Sequence, residues 1–267
     1  MNALDAAVAV AREHGVRVDE PRVLKDAHNL VVHLAPSPVV ARVGRKMTEL
    51  RPHIKQRELE LTLWLVERGL AVLPVADELP PRVYVHDGQQ MTFWRHAGEE
   101  RERDGAAAGH ALRAIDEALR DYDGELDGFW PVDETRTVLH ALELPRFVSD
   151  VLEEVAEQLQ YEPTALHGDA HLGNCFFTGD GPLWGDLEDA CLAPPEWDAA
   201  CLVLPLRLDG PDAEYEATLA ELSIEDQERL ELLVLLRAVL TISWGTFVHG
   251  WTERIEQRLE WLRANVP

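Results

Sequence analysis

The chain of 267 residues carries 49 acidic against 25 basic side chains, a formal net charge of −24, and 46% of its residues are hydrophobic. That length and apolar content suffice for one large or two modest folded domains, and the charge sets the chain against nucleic-acid partners, whose phosphates it would repel. Three cysteines without a CxxC pair and the absence of an apolar N-terminal leader point to the reducing cytoplasm without disulfides or a zinc site, and the strongest apolar run, Leu232 to Val239, is broken by Arg237 and too short for a bilayer, so no membrane role is expected. A cationic small molecule would be drawn toward such a chain, although the acidity is more simply read as serving solubility.

In chain order, the Ala/Val pattern predicts a helix over 3–14, closed near Gly15. Arg22 to Lys25, Leu30 to Leu34 and Val39 to Val43 read as strands, the first two joined around Asp26-Ala27-His28-Asn29 and the third following Pro36-Ser37-Pro38. Thr48 to Arg68 reads as a helix ended by Gly69, with Ile54, Leu61 and Leu65 on one face and Glu58 among them. A carboxylate on an apolar face requires a partner. Arg82 to His86, the Asp87-Gly88 turn and Gln90 to Trp94 form a hairpin, which brings the expected sheet to five antiparallel strands. Glu99 to Asp104 is a mixed charge run with the character of a solvated loop or helix start.

Helices dominate from Ala106, with apolar stripes at Leu112, Ile115, Leu119 and Tyr122 and at Phe147, Val151, Leu152, Val155 and Leu159. Further helices are predicted over 199–206, 212–222, 224–247 and 252–264. Strands with one helix, then mostly helices, predict an α+β chain in two lobes, 1–96 and 97–267, with a cleft between them.

The richest chemistry lies at His167-Gly168-Asp169-Ala170-His171-Leu172-Gly173-Asn174, followed by Phe176-Phe177, a Thr178 to Pro182 turn and Trp184-Gly185-Asp186. The pattern predicts a loop, then a hairpin that folds Asn174 and Asp186 toward one site. A carboxylate and an amide oxygen are hard ligands suited to Mg2+, which keeps several waters and shares substrate phosphates. Asp169 could accept a proton from an attacking hydroxyl or orient it, and His167 could brace the loop. Asp180 and Asp189 read as local backbone acceptors, and His171 stays open between packing and shaping the site.

His167-Gly-Asp169-x4-Asn174 with Asp186 and then Glu196-Trp197-Asp198 resembles the aminoglycoside phosphotransferase and small-molecule kinase family, relatives of the protein kinases, most closely over residues 165–201. The resemblance implies a bilobal protein-kinase-like fold, Asp169 as catalytic base, Asn174 and Asp186 on Mg2+, and Asp198 bracing the catalytic loop. It aligns Arg42 with the strand lysine that holds the nucleotide phosphates, with Lys46 as the rival cation, and pairs Arg42 with Glu58. The first turn would be the phosphate-covering loop, served by Asn29 and backbone amides because glycines are lacking. Trp94 to Gly98, including His96, would be the hinge that meets the adenine. The implied activity is transfer of the γ-phosphoryl group of ATP or GTP to a hydroxyl of a small molecule, an aminoglycoside, sugar or related metabolite. Two alternatives stand beside it: a nucleotide-binding pseudokinase, and a metal-dependent phosphoesterase, which would want more histidine ligands.

Overall fold

The computed structural model describes residues 2–27, 29–44, 51 and 53–266. They fall into two compact units, one of residues 1–102 with 175–189 and the other of 103–174 with 190–267.

The first unit is built on a five-stranded antiparallel sheet of β1 (Val18–Asp26), β2 (Asn29–Pro36), β3 (Val39–Gly44), β4 (Tyr84–His86) and β5 (Gln89–Arg95), in the order β1-β2-β3-β5-β4. Alternation along β2 and β3 buries Leu30, Val32 and Leu34 with Val39, Ala41 and Val43 against helix α1 (Ala3–Glu13), whose Ala6, Ala7, Val10 and Ala11 complete that core. Asn2 caps α1 by accepting from the Asp5 amide at 2.8 Å. Because side chains on a strand alternate, Arg42 is turned to the face opposite this core, in register with Val31 of β2 and the fully buried Thr92 of β5.

Helix α2 (Ile54–Glu67) begins later than the sequence pattern suggests; Thr48 lies outside the described residues, and Arg51 and His53 precede the first helical turn. It buries Ile54, Leu61 and Leu65, and also Lys55, Arg57 and Glu58. The hairpin near the chain's middle, β7 (Cys175–Thr178) and β8 (Gly181–Trp184), groups with this unit rather than with the helices that surround it in sequence. The expected single boundary at 96/97 does not foresee this. The reason is backbone pairing: Trp184 N–H donates to Ala71 O at 2.9 Å and Leu73 N–H to Trp184 O at 2.8 Å.

The second unit is helical. It contains α3 (Gly105–Leu119), α4 (Pro131–His140), α5 (Arg146–Gln158), α6 (Trp197–Asp209), α7 (Ala213–Ala220), α8 (Gln227–His249) and α9 (Glu253–Asn265), with a short ladder of β6 (Thr164–Leu166) and β9 (Cys191–Ala193). Helix α8 is the centre, packed by α4, α5, α6 and α9. At 23 residues it is longer than the apolar run seen in the sequence, and by length and composition alone it could cross a membrane. Its packing by four helices is that of a core helix. The three cysteines are buried, and none forms a disulfide.

Candidate active site

Strand β6 ends at Leu166 and delivers the chain into the His167–Asn174 loop. Gly168 sits at φ +88°, a left-handed conformation that favours glycine and explains why no larger residue follows His167. Asp198, in the first turn of α6, accepts from the amides of His167 at 3.0 Å and Gly168 at 2.9 Å, and Trp197 Nε1 donates to Gly168 O at 2.7 Å. The His167 ring is fully buried and its Nδ1 accepts from the Asp169 amide at 3.3 Å. Asp116 of α3, which sequence reasoning did not single out, also reaches the His167 amide at 3.3 Å. Burial and then Asp198 push the Asp116 carboxyl well up, while burial raises Asp198 to about 7 against its two backbone hydrogen bonds. The loop is therefore held by two buried carboxyls that share little solvent.

Asp169 is clamped on both oxygens. Arg237, reaching out of α8, pairs with Oδ1, and Asn174 Nδ2 donates to Oδ2 at 2.9 Å and to the Asp169 carbonyl at 3.0 Å. Burial alone would raise the Asp169 carboxyl; Arg237 and then His171, whose Nε2 lies 3.5 Å from Oδ2, overcome it and hold the group far below the ordinary carboxylate range. The His171 ring folds back so that Nδ1 accepts from the Gly173 amide at 3.1 Å. The Asn174 amide nitrogen is spent on Asp169, which leaves its Oδ1 without a protein partner among the described residues, a hard oxygen able to meet a cation.

Within the first unit, Arg42 bridges three carboxylates. Its guanidinium lies 2.6 Å from Glu58 Oε1 and 2.7 Å from Glu188 Oε1, and it pairs with Asp186. Burial pushes the Glu58 carboxyl up, to about 8, against the pull of Arg42 and with the push of Glu188 and Asp186. Asp186 stands at φ +65° without being glycine, and its Oδ2 has no protein partner among the described residues. Glu188 is the hub that sequence reasoning missed: Asn29 Nδ2 reaches its Oε1 at 3.2 Å, Lys55 Nζ its Oε2 at 4.0 Å, and Arg57 its carbonyl at 2.7 Å. Asp189 pairs with Arg51, a contact beyond the local role expected for it.

The remaining residues expected at the nucleotide have protein partners of their own. Asn29 is buried with both ends engaged, its Oδ1 accepting from fully buried Lys55 at 2.9 Å. Trp94 is buried in β5 with Nε1 on Thr92 Oγ1 at 2.9 Å. His96 stacks on His33 with ring centroids 3.9 Å apart. In the expected hinge, the amides of Arg95, His96 and Gly98 donate to Pro74 O, Pro38 O and His96 Nδ1. Ala97 N–H alone of these four has no partner among the described residues. Lys46 lies outside the described residues.

A loop-borne carboxylate fixed by an asparagine side chain, on a helical unit, together with a strand arginine paired to a helix glutamate on a sheet unit, is the parts list of a kinase-like fold. The model of a family described as "Phosphotransferase enzyme family" matches residues 17–233. The chain belongs to that family. Solved structures similar to this phosphotransferase family member include the amicoumacin kinase hAmiN in complex with AMP-PNP, Ca2+ and Ami, with a TM-score of 0.75 at 13% identity over 96% of this chain and 92% of that one. The choline kinase LicA from Streptococcus pneumoniae gives 0.70 at 16% identity over 96% and 98%, and a microcompartment-associated aminopropanol kinase 0.66 at 15% over 97% and 95%. At these identities the likeness shows the fold. No curated protein sequence matches.

Proposed function

We propose that this family member transfers the γ-phosphoryl group of a nucleoside triphosphate, ATP or GTP, to a hydroxyl of a small molecule in the cytoplasm. The observation that carries the reading is the Asp169–Asn174 pairing: one side chain fixes the carboxylate and keeps its own carbonyl oxygen open. Asn174 and Asp186 are the residues that would hold Mg2+, which when bound would neutralise phosphate charge. Arg42, tied to Glu58, is the cation for the nucleotide phosphates, and its planar fork suits them. Ala97 N–H is the hinge donor suited to adenine. Asp169, held so far below the ordinary carboxylate range, is a weak base; its main work is to accept and orient the acceptor hydroxyl while positioning and charge neutralisation lower the barrier.

Similar proteins named for choline and aminopropanol make an amino alcohol a natural acceptor to test, those named for aminoglycosides an amino sugar, and the net charge of −24 would draw in a cation. Asp169→Asn is expected to lower transfer about 10²- to 10⁴-fold, the usual weight of a proton-accepting group, with nucleotide affinity kept, and Asp186→Ala to lose Mg2+-dependent nucleotide binding and turnover together. Steady-state kinetics and calorimetric titration of the nucleotide measure both; full activity in Asp169→Asn would remove Asp169 from its role. Nucleotide binding without turnover across a broad acceptor panel would leave the pseudokinase alternative in its place.

A further inference from the structure

The phosphoryl-transfer reading, on which the role assigned below to Arg258 rests, leaves open what kind of molecule brings its hydroxyl to Asp169. Net charge governs long-range encounter, whereas fit is decided within a few ångströms of the carboxylate. There Arg237 meets the carboxylate, and Arg258 is near enough to Arg237 to be repelled by it. Arg237, Thr241 and Gly245 stand at i, i+4 and i+8, one stripe of α8. Arg237 begins the stripe on Asp169, and Arg258 of α9 crosses it, its Nη1 donating to Thr241 O at 3.2 Å. The absent side chain of Gly245 makes room for α9 at Ile255, whose Cδ1 would lie 2.7 Å from a Cβ there, while Arg258 Nη1 would stand at an ordinary 3.7 Å.

The neighbouring cations are answered by carboxylates. Arg237 has Asp169, and Arg254 holds Asp209 with contacts of 2.8 and 3.1 Å. Arg258 makes no ion pair among the described residues, since Asp209, the carboxylate that acts on it, is taken by Arg254, and its Nε is buried without any hydrogen-bond partner. Burial and then Arg254 and Arg237 lower its pKa to about 10 against the pull of Asp209, so repulsion and desolvation outweigh the one carboxylate that acts on it. In a chain with about two acidic residues for each basic one, a guanidinium without an ion pair of its own beside the catalytic loop's arginine is out of keeping with a purely structural cation.

We infer that Arg258 receives an anionic group, a carboxylate or phosphate monoester, on the acceptor, one helical turn of α8 away from the hydroxyl held by Asp169, a separation of about 6 Å. Guanidinium recognises both anions through the same pair of parallel donors. A cationic acceptor in the same place would meet Arg237 and Arg258 together. The acceptor class is thus a hydroxy acid or a sugar phosphate or sugar acid rather than an amino alcohol or amino sugar.

The test is a matched acceptor panel with Mg2+ and ATP or GTP: 4-hydroxybutanoate against 4-aminobutan-1-ol, and gluconate and glucose 6-phosphate against glucose and glucosamine, followed by Asp169-dependent nucleoside diphosphate release. The anionic member of each set is expected to have kcat/KM at least about tenfold higher, the usual weight of a hydrogen bond to a charged group. Gluconate against glucose 6-phosphate tells carboxylate from phosphate. Arg258→Gln is expected to raise the KM of the anionic acceptor at least about tenfold with a smaller change in kcat and unchanged nucleotide affinity, and Arg258→Lys to recover part of the loss. Amino alcohols or amino sugars used as well as or better than the anions, or discrimination unchanged in Arg258→Gln, would overturn the inference. So would Asp169-dependent nucleotide hydrolysis that no anionic acceptor stimulates, an outcome that keeps the phosphotransferase reading. Absence of nucleotide binding and hydrolysis alike would instead strike at that reading itself.

Discussion

At the scale of single residues, the central contact is Arg237 on Asp169. A guanidinium that lowers a carboxyl's pKa keeps it ionised to lower pH, so removing it moves the acid limb of the rate profile toward higher pH. Arg237→Met is expected to do so, with the limb read from kcat/KM against pH; a limb left in place would mean that Arg237 does not face the working carboxylate. The sequence held the signal for Arg237, a lone charge in the Leu232–Val239 run, and the rule that found a partner for Glu58 applies to it equally. Glu58 and Arg42 were legible because period and phase put both on defined faces. Glu188 and Lys55 were not, since nothing local marks them: their partners lie 159 and 26 residues away at Asn29, and adjacency of that kind is made only by the fold.

At the scale of elements, helix phase and strand alternation carried most of the architecture, and what they could not carry was close approach between backbones. Helices α3 and α7 pack tightly at Gly105 and Gly109; an added Cβ would stand 2.1 Å from Glu214 O at the first and 2.4 Å from Thr218 O at the second. Both glycines lie within a helix, where sequence reading counts glycine only as a weak former. Because the opposing atoms are backbone, Gly109→Ala must displace one helix, at a cost of about 1–3 kcal/mol, the usual penalty of overpacking, measured by denaturant unfolding. Unchanged stability would show that the two helices separate freely. The hairpin β7–β8 is a parallel case in the other unit: its turn residues announced it, but its pairing to 71–73 comes from hydrogen bonds across more than a hundred residues.

At the scale of the whole molecule, a net charge of −24 opposes compaction through self-repulsion, while buried networks such as that around Arg42 are shielded from salt. Raising ionic strength from about 0.01 to about 0.1 M shortens the screening length from about 30 to about 10 Å. The melting temperature is expected to rise by about 2–4 °C, equivalent to about 1 kcal/mol for a chain of this size. A fall would mean that exposed attractive pairs, such as Arg136 with Glu153, outweigh the repulsion.

Asp186 carries one more consequence. Its left-handed backbone is a conformation that glycine adopts freely and aspartate only at a cost of about 1 kcal/mol or more. Glycine would relieve that backbone cost but remove a partner of the buried Arg42 guanidinium. If Asp186 holds the cation proposed for it, the chain sets a backbone cost against chemistry at this one position.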